Sequence, residues 1–161
     1  MKQALVVYFS ATGTTKRIAD MLAESIGAKT FEIVPKQIYT NEDLDWTNDN
    51  SRSSQEMKDR TCRPEIESRV RDMEKYEVVF ICFPIWWYRE PSIIDTFVEK
   101  HNFDDKIIVP FATSGGSPIA DSYKGIHTLA PNAKKVEHGK LFEPGVEIGE
   151  LKKWAEKYIR K

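Results

Sequence analysis

The sequence predicts an α/β fold in which a five-stranded parallel sheet lies between two layers of helices, a three-layer, doubly wound architecture. Four short apolar runs alternate with amphipathic stretches, and a weaker fifth run follows, which is the pattern of repeated strand–helix units. Such units form parallel sheets with helices on both faces. The 161 residues contain no internal repeat and no linker, so we expect a single domain over residues 1–161.

The first unit is a buried strand followed by a helix. Residues 4–9 are apolar without interruption and rich in β-branched and aromatic types, as in a strand that is buried on both faces. Ile18, Leu22 and Ile26 then recur at helical spacing, and Gly27 follows at the position where helices often end. This segment therefore reads as strand, loop and helix.

A second strand is expected from Thr30 to Val34, and Pro35 would end it. The segment from Lys36 to Arg63 is polar and aperiodic. Because it is long for a connection in a compact domain, we expect it to be either functional or mobile. Two aromatic residues within it, Tyr39 and Trp46, indicate that part of the segment packs against the domain.

A helix is predicted before the third strand, because Ile66, Val70 and Met73 recur at helical spacing. The charged residues from Glu65 to Lys75 would form its solvated face. The third strand covers residues 78–83 and stops before a proline. The remaining elements are, in order, a helix that opens at Pro91, a strand over 106–113 that contains Pro110, a helix after Ser117 and Pro118, a weaker strand over 134–142 that is broken at His138 and Gly139, and a helix from Ile148 to Ile159.

Charge and cysteine content exclude several classes of protein. The chain has 24 Lys and Arg against 25 Asp and Glu, a net charge of −1, so it has no basic excess with which to bind a nucleic acid. Its apolar runs are too short to span a membrane. Cys62 and Cys82 form no CxxC pair and the three histidines are scattered, so neither a disulfide framework nor a metal site is expected. We expect a cytoplasmic protein without nucleic-acid or membrane partners.

Function is expected in the loops after the first, third and fourth strands, because ligands bind at the carboxyl ends of the strands in folds of this kind. The first of these loops places four hydroxyl residues around a glycine where a helix begins, which suits a phosphate monoester held by neutral donors. It lacks the lysine of nucleoside triphosphate loops. An ordinary helix cap with extra hydroxyls is the alternative. The loop consists of Ser10, Ala11, Thr12, Gly13, Thr14 and Thr15.

The loops after the third and fourth strands predict a slot for a flat ligand. Consecutive large aromatic residues cannot all face one core, but they can stack on a heteroaromatic ring. An oligomer interface is the alternative. Arg89 and Glu90, which follow, have two interpretations, contact with the bound ring or a solvated pair on the rim, and the rim pair is preferred. The two loops consist of Pro84, Ile85, Trp86, Trp87 and Tyr88, and of Thr113, Ser114, Gly115 and Gly116, whose glycines would let backbone approach the ligand closely.

Taken together, the three loops resemble those of the flavodoxins, particularly the short flavodoxin-like proteins with a Pro-x-Trp-Trp loop, over nearly the whole chain. The resemblance implies non-covalently bound FMN and the sheet order 2-1-3-4-5, which is known for flavodoxin and is not deduced from this sequence. It implies that residues 10–15 bind the phosphate and that Trp86 stacks on the flavin ring. Many flavodoxins have a glycine at the position of Trp87, whose peptide can flip toward the reduced flavin, and a positive φ is costlier for tryptophan.

The resemblance implies an FMN-binding redox protein that carries electrons between partner proteins. One alternative is an FMN oxidoreductase that uses NAD(P)H to reduce quinones or similar acceptors, with residues 86–88 as one side of a substrate slot and residues 36–63 as a lid. Another is a homodimer or partner interface at the aromatic loop, with FMN as a structural group. Because the net charge is −1, long-range steering is unavailable, and a partner must recognise a local patch around the flavin.

Overall fold

The computed structural model describes residues 1–113 and 119–160, and within them a parallel sheet is flanked by helices. The strands are β1 (Ala4–Tyr8), β2 (Lys29–Glu32), β3 (Val78–Pro84), β4 (Ile107–Thr113), β5 (Lys135–Val136) and β6 (Lys140–Phe142). The helices are α1 (Thr14–Ile26), α2 (Arg52–Lys58), α3 (Ser92–Glu99), α4 (Ala120–Leu129) and α5 (Ile148–Ile159), with a 3-10 turn at Met73–Lys75.

The strands lie in the order β2-β1-β3-β4-β5, and every paired neighbour is parallel. This confirms the doubly wound α/β fold and the order that the resemblance implied. The carboxyl ends of β1, β3 and β4 are adjacent in this order, so the loops after β1 and β3 begin at the same edge of the sheet, beside the end of β4.

The fifth position of the sheet is occupied by two short strands, as the break at His138 and Gly139 predicted. Both β5 and β6 pair with β4, on either side of Pro110. Gly139 has a φ of 81°, and a Cβ atom there would collide with the carbonyl oxygen of Pro110. Since Pro110 also has no N–H to contribute to the ladder, the strand must break at this point, and only glycine fits the close approach.

Two helical layers cover the two faces of the sheet. Successive residues of β3 point to opposite faces, so that Phe80 belongs to one core and Ile81 to the other. Beneath α1 and α5 the first core contains Ile18, Leu22, Leu151 and Trp154, and beneath α3 and α4 the second contains Ile93, Ile94, Phe97 and Ile126. In the described part of the chain, no helix has the length and apolar character needed to cross a bilayer.

The helix predicted from Ile66, Val70 and Met73 is wrong. These side chains do pack against the core, but the backbone makes its hydrogen bonds to other segments. Ile66 forms an antiparallel bridge with Pro35, and the N–H of Val70 donates to Nε2 of His101 at 2.9 Å. With its donors committed across the chain, the segment forms only the 3-10 turn at its end, and its charged residues do not belong to a helix face.

The segment from residue 36 to residue 63 is more ordered than its polar sequence suggested. It contains α2, whose first turn is capped by Ser51 through a bond from the N–H of Ser54 at 3.3 Å. Tyr39 packs against the domain as predicted, with the guanidinium of Arg52 3.8 Å from its ring centre. Trp46 does not pack down, since 73% of its surface is exposed.

Candidate functional site

The loop after β1 leaves the start of α1 open. Gly13 precedes the helix with a φ of 99°, which favours glycine, and its N–H donates to Oγ of Ser10 at 3.0 Å. No side chain caps the helix. The N–H groups of the first turn have no partner within a helix, so an uncapped start directs unpaired donors and the positive end of the helix dipole toward the loop. This geometry fits an anion.

The hydroxyl groups of this loop divide into two sets. Thr15 is buried, and its hydroxyl is 2.9 Å from that of Thr113 at the end of β4, so it ties the first loop to the fourth strand. Ser10 and Thr14 are half-buried and Thr12 is exposed, which leaves three hydroxyls near the surface.

The cations next to the loop are engaged elsewhere. The ammonium group of Lys16 pairs with Asp20 at 2.8 Å, and the guanidinium of Arg17 donates to the carbonyl of Pro144. The donors that remain at the loop are backbone N–H groups and hydroxyls. A phosphate monoester suits such a site, as the sequence predicted.

The loop after β3 contains a two-residue turn formed by Trp87 and Tyr88. The N–H of Trp86 donates to the carbonyl of Arg89 at 3.0 Å, and the N–H of Arg89 donates to the carbonyl of Trp86 at 3.2 Å. The φ angles of Trp87 and Tyr88 are 46° and 66°, a pair of positive values that asparagine and glycine adopt with less strain. A positive φ is expected to be unfavourable at a tryptophan. The folded protein already contains that unfavourable conformation at Trp87.

The three aromatic residues of this loop have different environments. Trp86 is half-buried, and its ring makes edge contacts with Phe9 and Tyr39 at centroid distances of 5.6 and 5.5 Å. Trp87 and Tyr88 are 42% and 62% exposed. Trp86, the expected stacking residue, is therefore braced by the core, whereas Trp87 is the more accessible indole.

Arg89 and Glu90 are not the solvated rim pair that the sequence suggested, because they are 4% and 0% exposed. The guanidinium of Arg89 lies between the end of α2 and the start of α3. It donates to the carbonyl of Met57 and to Oγ of Ser92, both at 3.3 Å, to the carbonyl of Glu90 at 3.1 Å, and to a carboxylate oxygen of Asp95 at 3.5 Å. These acceptors allow the cation to be buried.

Glu90 lies against α4. A Cβ atom at Gly125 would be only 2.5 Å from a carboxyl oxygen of Glu90, so glycine leaves the room that the carboxyl group occupies. Neither carboxyl oxygen has a hydrogen-bond partner among the described residues. Burial, with the nearby carboxyl of Asp95, raises the pKa of Glu90 to about 9, and burial also raises the pKa of Asp95. This environment therefore favours the neutral form of the Glu90 carboxyl.

Sequence reasoning missed this buried cluster of Arg89, Glu90 and Asp95. One signal was present: Asp95 stands among Ile93, Ile94 and Phe97 in the apolar part of α3, where an acid needs a buried partner. In the third predicted loop, Thr113 is buried at the end of β4. Ser114, Gly115 and Gly116 lie outside the described residues, so their predicted place beside the ligand stays a prediction.

The double substitution of Trp87→Asn and Tyr88→Gly is expected to raise the free energy of unfolding, measured by urea titration without added ligand. The expected gain is about 1 kcal/mol, because the strained φ values are relieved while two mostly exposed rings lose little packing. Trp46→Asn is the control, because it removes an exposed indole from a position without positive φ. A lower free energy of unfolding in the double variant would show that the rings stabilise the turn by packing.

Residues 3–158 match the flavodoxin family profile. Two solved Bacteroides structures, each provisionally described as a flavoprotein, are 41% identical to this chain. That from B. eggerthii has a TM-score of 0.90 and covers 100% of both chains, and that from B. uniformis has 0.89 and covers 96% of this chain and 98% of its own. A flavoprotein from Lactobacillus acidophilus in complex with FMN is 20% identical, covers 96% of this chain and 99% of its own, and has a TM-score of 0.74. No curated protein matches.

Proposed function

Because the chain belongs to the flavodoxin family, we propose that it binds FMN non-covalently and carries electrons between redox proteins. The observation that supports this most strongly is the meeting of two loops at one edge of the sheet. The uncapped start of α1 follows β1, and the aromatic turn follows β3, which pairs with β1. Ligands bind at this edge in doubly wound folds. FMN is supported as the cofactor by the family and by the Lactobacillus acidophilus flavoprotein, whose FMN complex has the same fold.

The described residues fit the phosphate end of FMN. The open N–H groups that follow Gly13 would hold the phosphate, and Ser10, Thr12 and Thr14 would add neutral hydroxyl donors. The hydrogen bond between Thr15 and Thr113 fixes this loop relative to the end of β4. Because Lys16 and Arg17, the cations that follow the loop, have partners elsewhere, phosphate binding would depend on the directed N–H groups and would select its ligand by geometry.

The aromatic turn would provide the surface for the flavin ring. The indole and phenol groups of the turn would exclude water from one face of the flavin and would orient the flavin. Phe9 and Tyr39 hold Trp86 in place through edge contacts. The cofactor, when bound, supplies reversible one- and two-electron transfer, and the protein supplies binding, orientation and electrostatic tuning.

Trp87 and Tyr88 also provide the surface that we propose for partner proteins. Their exposed aromatic groups are the kind of residue that interfaces bury. With a net charge of −1, recognition would rely on this local patch. We propose a cytoplasmic location, which suits Cys62 and Cys82, since both are free thiols.

FMN binding is tested by titrating the FMN-free protein with FMN and, separately, with riboflavin, while flavin fluorescence is recorded. We expect saturable quenching by FMN and binding of riboflavin that is at least tenfold weaker, because riboflavin lacks the phosphate that the start of α1 would hold. Equal affinities would contradict the assignment of the phosphate loop. Failure of the protein to take up FMN would defeat the proposed function.

An FMN oxidoreductase that acts on NAD(P)H and quinones is the second candidate, and a cleft between the aromatic turn and residues 44–53 favours it. The two candidates differ in their reductant. Anaerobic mixing of the FMN-loaded protein with NADH or NADPH, followed at the flavin absorption band, discriminates between them. We expect no direct bleaching if the protein is a carrier, and rapid bleaching would favour the oxidoreductase.

A further inference from the structure

A cleft of about 380 Å³ lies beside the aromatic turn and extends to the segment before and within α2. This volume is within the range of small-molecule sites. No residue of the phosphate loop lines it, so the cleft is separate from the proposed phosphate site and shares only the aromatic loop with the proposed flavin site. The lining residues are Leu44, Trp46, Ser53, Ile85, Trp86, Trp87 and Tyr88.

The walls of the cleft are aromatic surfaces that the fold leaves open. Trp46 is 73% exposed, and Trp87 and Tyr88 are also large exposed side chains. The strained φ values of the turn hold the last two in this position. Strain of this kind persists where the surrounding structure enforces it, typically at binding sites. Three exposed rings around one concavity form a surface suited to a flat aromatic ligand.

Ser53 adds a polar group to this aromatic cleft. It is 2% exposed, and its hydroxyl has no hydrogen-bond partner among the described residues. Its neighbours in the same turn behave differently, because the hydroxyls of Ser51 and Ser54 are paired with each other at 2.9 Å. A buried hydroxyl without a hydrogen-bond partner costs free energy. A carbonyl group of a ligand would accept the hydrogen bond that the described residues do not accept.

The cleft also limits the charge of its ligand, because none of the charged side chains that the structure describes lines it. A phosphate, carboxylate or ammonium group placed there would lose hydration without gaining a partner. The phosphates of a nicotinamide nucleotide would therefore have to stay outside the cleft, whereas an uncharged ring with a carbonyl at its edge fits inside without a charged partner.

We propose that this cleft binds an uncharged, flat aromatic compound with a carbonyl group, such as a quinone. This proposal rests on the proposed FMN function. The rings of Trp46, Trp87 and Tyr88 would enclose its faces, and the hydroxyl of Ser53 would donate to a ring carbonyl. Since residues 86–88 also form the proposed flavin surface, the ligand would lie beside the cofactor.

The test measures binding to the FMN-loaded protein by equilibrium dialysis. The probe is 2,3-dimethyl-1,4-naphthoquinone, which has no free quinone ring position with which to react at Cys62. Trp46→Ala is expected to weaken its binding about tenfold, because an exposed stacking ring is lost. Ile38→Ala is the matched control, because Ile38 is also 73% exposed and belongs to the same segment but does not line the cleft, and we expect unchanged binding.

Two further comparisons examine the polar group and the charge. Ser53→Ala is expected to weaken naphthoquinone binding about fivefold and to leave the binding of naphthalene unchanged, because naphthalene has no carbonyl to accept a hydrogen bond. 2,3-Dimethyl-1,4-naphthoquinone-6-sulfonate, which likewise has no free quinone ring position, is expected to bind at least tenfold more weakly than the neutral probe. All three variants should retain wild-type FMN affinity, since none of the substituted residues belongs to the proposed FMN site. None should unfold at a lower temperature than wild type, because Trp46 and Ile38 are exposed and Ser53→Ala removes a hydroxyl without a partner among the described residues.

Unchanged quinone binding in both Trp46→Ala and Ser53→Ala, or equal binding of the sulfonate, would overturn the proposal. The absence of any quinone binding to the FMN-loaded wild-type protein would overturn it as well. FMN uptake is measured in the same samples. If FMN does not bind, the proposed function fails, and dialysis of the FMN-free protein still tests the cleft by itself.

Discussion

Arg89→Ala is expected to lower the free energy of unfolding by about 3–5 kcal/mol, the largest loss that we expect from a single substitution at the aromatic loop. The side chain is 4% exposed, and its guanidinium is the donor for two backbone carbonyls, one hydroxyl and a carboxylate. Removing it leaves the carboxyl of Asp95 with the more exposed guanidinium of Arg63, 3.9 Å away, as its cation, and leaves the carbonyl of Met57 without this donor. Both are costly in an interior from which water is excluded.

Urea unfolding measures this loss, and Arg160→Ala is the control. Arg160 forms an ion pair with Glu156, but its side chain is 70% exposed, so we expect a change of no more than about 0.5 kcal/mol. Arg89→Lys should lie between the two, because one ammonium group cannot supply the planar set of donors that meets acceptors from α2 and α3. Equal effects of Arg89→Ala and Arg160→Ala would show that the buried network contributes nothing to stability.

The contacts of Arg89 also show why the sheet could be predicted from the sequence and this part of the site could not. The strands are recognisable because the local sequence pattern decides them. An uninterrupted apolar run of six residues, as at positions 4–9, fits few structures other than a buried strand. The burial of Arg89 is decided by partners on other elements, including the carbonyl of Met57, 32 residues earlier. Next to two exposed aromatic residues and a proline, a charged pair has no local pattern that indicates burial.

The error at residues 66–73 has a related cause. The spacing of Ile66, Val70 and Met73 satisfies a helix, but it does not exclude an extended segment whose apolar side chains pack at intervals. Backbone hydrogen bonding decides between the two. Here the N–H of Val70 donates to the ring of His101, 31 residues later in the chain. Tyr39 and Trp46 also show that local sequence does not decide packing. Both lie in a polar segment, but Tyr39 contacts the rings of Phe9 and Trp86 and Trp46 is exposed.

The candidate site was predicted as far as chain order determines it. Loops 10–15 and 84–88 follow neighbouring parallel strands, so their meeting at one edge follows from the order of the sheet. The strained turn at Trp87 and Tyr88 and the cleft with Ser53 depend on backbone angles and on α2, for which the sequence contains only a serine cap as a signal. Those features required the structure.

Glu90 is expected to make the protein less stable as the pH rises, and Glu90→Gln is expected to remove this dependence. The folded pKa of about 9 lies above the ordinary value of 4.5, so the folded state retains a proton that the unfolded state has released. Stability from this group is complete below about pH 4.5 and is lost as the pH rises toward 9. The slope is at most about 1.4 kcal/mol per pH unit for one proton.

The measurement compares the free energies of unfolding of wild type and Glu90→Gln at pH 5 and at pH 8. Carboxylates other than Glu90 titrate in both proteins, so their contributions largely cancel in the difference. That difference should change by up to about 4 kcal/mol in favour of Glu90→Gln between the two pH values. Glu24→Gln, at an exposed position of α1, is the control and should follow the wild-type profile.

Asp95 sets the size of this effect, because burial raises its pKa as well and its carboxyl lies near that of Glu90. The free energy of unfolding of Glu90→Gln could still fall with pH. If that residual slope disappears when Asp95→Asn is added, both acids contribute to the pH dependence of the wild type. Parallel pH profiles for wild type and Glu90→Gln would instead require Glu90 to be ionised in the folded protein. An ionised group there would need a partner for oxygens that have none among the described residues, and a rearrangement of the chain around Gly125 would then have to supply it.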